Sequence, residues 1–147
     1  MYKDILDRLP YKSTFRFVDE ISLLDKDQVI GYYTLKQDEF FYEDHFPGNP
    51  VTPGVILTEI MAQIGLVIPG IYLTVNAAEF SDVNTVFPLL TSSEVSFYKM
   101  VLPGQKVEVI SKREYFRLGK LKCQVQMLDH NKELIARGVF SGILKSK

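Results

Sequence analysis

Residues 54–68 constrain the fold of this chain more than any other segment. Ten of these 15 residues are Val, Ile, Leu, Met or Ala, and they fall on every face of a helix rather than along one stripe. Pro53 suits a helix start, and Pro69-Gly70 predicts its end. A helix that is apolar all round has to be covered by the rest of the protein, so the pattern predicts a buried central helix.

The remaining chain reads mostly as β-strands. Strand-type runs are predicted at residues 14–24, 28–35, 92–101, 105–117, 120–128 and 133–144, and short turns such as Pro103-Gly104 and Leu118-Gly119 separate them. Strands that follow one another through short turns pair in antiparallel fashion. Residues 1–9 suit a short amphipathic helix, and residues 71–82 suit either helix or loop. We expect one α+β domain over residues 1–147, with five to seven antiparallel strands around the central helix.

Composition excludes several functional classes. Lys and Arg total 17 against 18 Asp and Glu, so a near-neutral chain is a poor candidate for nucleic-acid binding. The single cysteine, Cys123, permits no intrachain disulfide and is expected in the core. The two histidines, His45 and His130, lie in unrelated contexts, and we expect no metal site. No uncharged apolar run is judged to reach the roughly 18 residues of a membrane span, and residues 1–5 lack a secretory signal's apolar core, which predicts a cytoplasmic protein.

One segment, residues 45–63, combines groups suited to acid–base chemistry. His45 lies on a proline-braced loop, and Gly54 begins the central helix, where backbone N–H groups lack helical partners and can bind a carbonyl oxygen or an anion. Glu59 is a lone carboxyl in an apolar helix, with Gln63 one turn later on the same face. Burial should raise the pKa of Glu59, so that it holds a proton near neutral pH. This set predicts a base, an acid and an oxyanion site.

The same segment closely resembles the active-site signature of the hot-dog-fold 3-hydroxyacyl-acyl-carrier-protein dehydratases, the FabA/FabZ-like family. The matching residues are His45, Phe46, Pro47, Gly48, Pro50, Val51, Pro53, Gly54, Glu59, Met61, Ala62 and Gln63. The resemblance continues more weakly over most of the chain, from Leu9-Pro10 to the hairpin around Gly119. It implies a hot-dog fold, an antiparallel sheet wrapped around a long central helix, in agreement with the strand pattern.

The resemblance also implies an activity and roles for individual residues. The family converts (3R)-3-hydroxyacyl thioesters on acyl carrier protein to trans-2-enoyl thioesters, and each site takes its histidine from one subunit and its acid from the other. Transferred to this chain, His45 removes the C2 proton, Glu59 protonates the departing hydroxyl, the Gly54 N–H binds the thioester carbonyl, and the Val51 carbonyl fixes the His45 tautomer. Glutamate rather than aspartate as the acid makes isomerase activity less expected.

Further expectations follow from the resemblance. Gln63 is a supporting residue, and Phe87, Pro88 and Leu89 are candidates for lining an acyl tunnel beside the helix. The partners are a homodimer subunit, or a multiple of dimers, and an acyl carrier protein that carries a phosphopantetheine-linked chain; no cofactor is implied. A basic hairpin over residues 112–122 is either a solvated strand face or a docking surface for the acidic carrier protein.

Three departures from the family pattern bear on pathway and substrate. Asp44 precedes His45 where the family has glycine, Thr52 precedes Pro53 where methionine is usual, and Tyr11-Lys12 replaces a His-Arg pair. Fatty-acid synthesis and a specialised acyl pathway, such as polyene assembly, both remain open. A hot-dog acyl thioesterase and a non-catalytic partner subunit of a paralogous dehydratase are the alternative functions.

Overall fold

The computed structural model of the chain describes residues 2–76 and 86–146. A short helix α1 (Lys3–Asp7) and a 3-10 turn (Ser13–Phe15) precede strands β1 (Glu20–Leu24) and β2 (Gln28–Thr34). The central helix follows as α2 (Gly54–Ala62), a π-helical turn (Gln63–Val67) and α3 (Ile68–Val75). Strands β3 (Val86–Phe97), β4 (Lys106–Arg117), β5 (Lys120–Leu128) and β6 (Leu134–Ser146) complete the order.

The six strands form one antiparallel sheet in the order β1-β2-β4-β5-β6-β3. The turn between β4 and β5 has positive φ at both Leu118 and Gly119, which matches the right-handed twist of the flanking strands. The five-residue β1 and the 12-residue β3 are the two edge strands. The expected α+β architecture, with an antiparallel sheet around one long helix, is confirmed.

The π-helical turn is the part of the central helix that the sheet covers most closely, since it contacts β2, β3, β4, β5 and β6. Gly65 lies at this crossing, where an added Cβ would come within 2.8 Å of a Val125 methyl group. The Ser111 hydroxyl donates a 2.7 Å hydrogen bond to the Gly65 carbonyl, a backbone group in the middle of the widened turn. Close packing of helix on sheet therefore depends on the absence of a side chain at position 65.

The predicted helix end at Pro69-Gly70 is wrong, because the helix continues to Val75. Proline disrupts an α-helix by its missing N–H and by the clash of its ring with the carbonyl four residues earlier. Here Pro69 lies in the first turn of α3, directly after the π-helical turn. The local change in hydrogen-bond register makes position 69 equivalent to a helix start, where proline is tolerated.

Two predicted strands have bounds that differ from the structure by more than two residues. The run at 92–101 is observed as Val86–Phe97, because the backbone leaves the sheet after Phe97 and Val101 accepts a 2.8 Å hydrogen bond from the Thr52 N–H. The run at 14–24 is a strand only from Glu20. Residues 15 and 17 are held instead by the Gln63 side chain, which takes the place of a neighbouring strand.

The central helix corrects the expectation about membrane spans. Residues Gly54–Val75 form a 22-residue helix that is long and apolar enough to cross a membrane by length and composition alone. However, 78% of its most apolar segment is buried inside the protein. That burial is typical of a core helix, in agreement with the sheet packed around it.

Candidate active site

His45 lies on a tight loop whose geometry fixes the imidazole. Phe46 has φ of 55° and Gly48 has φ of 82°, and the Asn49 N–H donates a 2.9 Å hydrogen bond to the Phe46 carbonyl. His45 Nδ1 is 2.7 Å from the Val51 carbonyl oxygen. Because a carbonyl oxygen only accepts, Nδ1 carries the hydrogen in this bond, and in the neutral ring Nε2 is left as the proton acceptor.

Glu59 is half-buried in α2 and is held by Gln63. Gln63 Nε2 donates hydrogen bonds of 2.9 Å to Glu59 Oε2 and 2.9 Å to the Phe15 carbonyl, while its Oε1 accepts 2.8 Å from the Phe17 N–H. Gln63 is 0% exposed; its bond from the Phe17 N–H is buried, and the other two bonds are partly buried. The amide therefore joins the carboxyl of Glu59 to the backbone of the segment before β1.

Burial raises the pKa of Glu59, and the Gln63 hydrogen bond opposes that rise without cancelling it. The direction agrees with the expectation from the sequence, because a carboxyl with a raised pKa keeps its proton to higher pH. The pKa of the Tyr11 phenol is raised as well, mainly by burial and to a smaller extent by the negative charge of Glu59. The tyrosine is therefore a neutral neighbour of the carboxyl near neutral pH.

The helix N-terminus presents backbone N–H groups at the surface. Gly54 is exposed and is the first residue of α2, and Pro53 precedes it with φ of −58°. A Cβ at position 54 would be 3.5 Å from the Phe97 ring, so this ring lies against the start of the helix. The N–H groups of a first helical turn have no partner within the helix, and such groups can bind a carbonyl oxygen.

The structure brings the site residues together as two separate pairs. His45 is joined to Val51, and Glu59 is joined to Gln63. Within residues 2–76 and 86–146, no hydrogen bond or ion pair links His45 to Glu59. Within one chain, His45 and Glu59 are thus each held by a neighbour of their own.

The candidate tunnel residues lie beside the central helix at the β3 edge. Pro88 and Leu89 line a narrow apolar crevice together with Leu66, Leu121, Gly142, Ile143 and Leu144. Leu89 is 48% exposed, which differs from an ordinary core position. The Phe87 side chain lies outside the described part of the structure, so its expected place in the tunnel stays a prediction.

The basic hairpin carries charges that are partnered locally. Arg113 lies 3.7 Å from Asp27, and Lys122 lies 3.4 Å from Glu114. The Arg117 guanidinium stacks over Tyr115 at 4.7 Å from the ring centroid. These contacts favour the interpretation of the hairpin as a solvated strand face.

Cys123 is fully buried, and burial raises the pKa of its thiol to about 11. A thiol of this kind is protonated near neutral pH and is a poor nucleophile. The expectation that Cys123 belongs to the core is confirmed.

Comparison with known proteins identifies the class and then the family. Solved structures with this arrangement include a chain of a dehydratase heterocomplex from Xenorhabdus doucetiae, with a TM-score of 0.77 at 12% identity over 97% of this chain and 91% of that one. A hypothetical thioesterase bound to coenzyme A from Streptococcus pneumoniae has a TM-score of 0.67 at 11% identity over 100% and 98%. The fold is therefore the hot-dog fold that dehydratases and thioesterases share.

Sequence comparison narrows the class. The model of the FabA-like domain matches residues 9–138, so the chain belongs to the FabA-like family. The 3-hydroxyacyl-[acyl-carrier-protein] dehydratase FabZ of Clostridium perfringens is 32% identical over 126 residues, covering 83% of this chain and 86% of that protein. The FabZ dehydratase of Caldicellulosiruptor saccharolyticus is 35% identical over 124 residues, covering 81% and 82%. The family resemblance noted from the sequence is confirmed.

Sequence reasoning missed the pair Tyr42 and Thr52. The Tyr42 hydroxyl and Thr52 Oγ1 are 2.6 Å apart, and both side chains are buried. Ten residues separate them, and only the folded loop brings them together. The available signal was Thr52 itself, a polar residue where the family signature usually has methionine.

Proposed function

We propose that this protein dehydrates (3R)-3-hydroxyacyl-acyl-carrier-protein thioesters to trans-2-enoyl thioesters, with His45 as the base and Glu59 as the acid. The proposal rests on one observation, namely that the surroundings of His45 suit it to accept a proton and those of Glu59 suit it to donate one. The Nδ1–Val51 hydrogen bond leaves Nε2 as the proton acceptor of a neutral His45 ring, while burial favours the protonated carboxyl of Glu59. The similarity to FabZ dehydratases over most of the chain supports the same activity.

In this mechanism His45 Nε2 removes the proton from C2 of the substrate. The C2–H bond is only weakly acidic, so the charge that moves onto the thioester oxygen needs stabilisation. The Gly54 N–H, at the exposed start of α2, supplies a hydrogen bond and the positive end of the helix dipole there. Val51 keeps the imidazole in the required tautomer throughout.

The C3–O bond breaks as Glu59 donates its proton to the leaving hydroxyl, which departs as water. Hydroxide is a poor leaving group, so the carboxyl has to arrive protonated. Gln63 holds Oε2 of the carboxyl, and Oε1 is the oxygen left to carry the proton. Transfer of the C2 proton from His45 through water back to Glu59 restores both groups.

We infer that a second copy of the chain completes each site. Strand β3 is a long edge strand with exposed residues at 90–94, and apolar side chains on or near it are also exposed: Leu90, Phe97, Met100 and Leu102. An exposed, apolar strand edge is a template for pairing with another strand. Pairing of β3 with its copy would extend the sheet and bring the His45 loop of one subunit to the α2 helix of the other.

We also propose that the acyl chain lies along the crevice at Pro88 and Leu89. The crevice is apolar and borders the central helix through Leu66, but it is too narrow for a water-sized molecule in the free chain, so an acyl chain would have to part its walls. Leu89→Ala should shift the preference of the enzyme towards longer acyl chains, because it widens the crevice. The melting temperature should change little, since the Leu89 side chain is half-exposed. An unchanged chain-length profile across a panel of substrates would contradict this placement.

A direct assay separates dehydration from the alternative functions. The protein is incubated with a (3R)-3-hydroxyacyl carrier protein and with the saturated acyl carrier protein of equal chain length. Dehydration lowers the mass of the first substrate by one water and leaves the second intact. Release of carrier-protein thiol from either substrate would identify a thioesterase, and no reaction by a well-folded dimer would identify a partner subunit. The (3S) epimer is the matched control.

Fatty-acid synthesis is the pathway that the FabZ relatives favour. A specialised pathway such as polyene assembly, and a cytoplasmic location, stay predictions from the sequence. A panel of hydroxyacyl carrier proteins that differ in length and unsaturation tests the choice of pathway, because a polyene enzyme prefers conjugated substrates to saturated ones of equal length.

A further inference from the structure

We propose that the buried hydrogen bond between Tyr42 and Thr52 is a clamp that positions His45, which makes both of them positioning residues for the proposed dehydration. Tyr42 precedes His45 by three residues, and Thr52 directly follows Val51. The two hydroxyls, 2.6 Å apart, therefore close the base of the loop that carries the histidine. This inference rests on the proposed function only for its kinetic consequence.

The clamp is buried, whereas the tip of the loop is exposed. Tyr42 is 6% exposed and Thr52 is 3% exposed, but Phe46 at the tip is 62% exposed. A hydrogen bond in a dry environment is stronger than one in water, and breaking one partner leaves the other unsatisfied. The buried hydrogen bond therefore holds the two ends of the loop together at its base.

Thr52 links the hydrogen bond with Tyr42 to two groups of the proposed mechanism, the His45 imidazole and the N-terminus of the helix. Its N–H donates a 2.8 Å hydrogen bond to the Val101 carbonyl, so its backbone is held as well as its hydroxyl. On one side lies Val51, whose carbonyl accepts from His45 Nδ1. On the other side lie Pro53 and Gly54, the start of the helix. A shift of Thr52 moves the imidazole and the helix N-terminus together.

The chemistry explains why such a clamp matters. The Val51 carbonyl selects the Nδ1–H tautomer of His45 only while it stays within hydrogen-bond reach. If the loop base loosens, the ring can rotate or adopt the Nε2–H tautomer, in which Nε2 already carries a hydrogen and cannot take the proton from C2. Small misplacements of reacting groups cost large factors in rate, even when the changed residue is remote from the substrate.

The test combines kinetics with NMR of the histidine tautomer. In the wild-type protein, long-range 1H–15N spectra should show His45 in the Nδ1–H form, with His130 as an internal reference. Thr52→Val and Tyr42→Phe should each populate the Nε2–H form and lower kcat roughly 10-fold with little change in KM. Thr52→Ser keeps the hydroxyl and should restore both the tautomer and kcat.

A matched control removes a comparable buried hydroxyl elsewhere. Thr74 is 2% exposed, and its hydroxyl donates a 2.7 Å hydrogen bond to the Gly70 carbonyl in α3. Thr74→Val should leave the His45 tautomer and kcat at wild-type values. The double variant Tyr42→Phe/Thr52→Val removes both partners, so its melting temperature should recover relative to the single variants while kcat stays low.

The outcomes distinguish the clamp from the proposed function. A wild-type tautomer in Thr52→Val, or recovery of kcat in the double variant, would overturn the clamp even if the wild-type protein dehydrates its substrate. A tautomer shift in Thr52→Val and Tyr42→Phe, reversed in Thr52→Ser, supports the clamp even if the wild-type protein proves inactive as a dehydratase. The tautomer measurement needs no substrate, so a failure of the clamp and a failure of the proposed dehydration can be told apart.

Discussion

Glu59 shows how a single residue balances stability against chemistry. Its helix is apolar, so burial disfavours the carboxylate, while the Gln63 amide partly stabilises it. The folded protein therefore binds the Glu59 proton more tightly than the unfolded chain does. As pH rises above the unfolded-state pKa of about 4.3, this group lowers the free energy of unfolding, and the loss grows until pH passes the folded-state pKa. The burial that would suit Glu59 to the proposed role of proton donor thus costs stability at neutral pH.

We predict that Glu59→Gln is at least as stable as the wild-type protein at pH 7 and loses this advantage near pH 4. The amide keeps the shape and can still accept from Gln63, but it has no charge to bury. Urea denaturation at several pH values measures the difference.

Glu108 is the control with the opposite sign. Burial would raise its pKa, but hydrogen bonds from Tyr32 and Lys132 lower it overall. Glu108→Gln should therefore be less stable than wild type at pH 7, with the deficit shrinking as pH falls. A loss of stability at pH 7 in Glu59→Gln similar to that in Glu108→Gln would contradict the burial account.

At the residue scale, the sequence pointed to a candidate acid–base site but not to the contacts that hold its residues. His45, Glu59 and Gly54 stand out because their types and spacing suit acid–base catalysis. The role of Gln63 could not be predicted in full, because its bonds to residues 15 and 17 join parts of the chain 46 to 48 positions apart. The same holds for Tyr42 and Thr52, whose contact exists only in the folded loop.

Among the elements, the central helix combines a π-helical turn with close packing on the sheet. The turn lets the helix continue past Pro69, and Gly65 allows it to approach β5.

Strands β4 and β5 match the predicted bounds to within one residue because the turns at Pro103-Gly104 and Leu118-Gly119 mark where they begin or end. Strand β3 was misplaced because no such turn marks its end, and residues 98–101 leave the sheet through contacts that are not local.

We predict that Gly65→Ala destabilises the protein by about 1–3 kcal/mol, which is typical of overpacking. The added Cβ would come within 2.8 and 2.9 Å of the two methyl groups of Val125. Thermal and urea denaturation measure the loss. In a Val125→Ala background the same change should be nearly neutral, because the clashing methyl groups are gone. Equal losses in both backgrounds would contradict the proposed contact.

For the whole molecule, the two edges of the sheet differ in a way that bears on the proposed dimer. Strand β1 is five residues long and irregular, whereas β3 offers 12 residues with exposed apolar side chains. The sequence predicted that a second subunit would extend the sheet, but it did not indicate which edge. The strand order identifies β1 and β3 as the two edges, and the length and exposure of β3 favour it for the proposed pairing.

We predict a dimer through β3, with a mass of about twice the 16.9 kDa chain in sedimentation at micromolar concentration. Leu90→Glu should shift the protein towards monomer, because it places a charge on the exposed edge, where Leu90 is 46% exposed. Leu118→Glu, at a 91% exposed position on the β4–β5 turn, should remain dimeric. A wild-type monomer, or a dimeric Leu90→Glu, would count against pairing through β3.

The shared site is tested most directly by mixing two inactive variants. His45→Ala and Glu59→Gln should each lower kcat by at least about 100-fold, since each removes one acid–base group. Unfolded and refolded together in equal amounts, the variants should form half heterodimers, each with one intact site and one site that lacks both groups. About a quarter of wild-type activity should return. Full activity in either variant alone would contradict the mechanism, and an inactive, verified heterodimer would contradict the shared site.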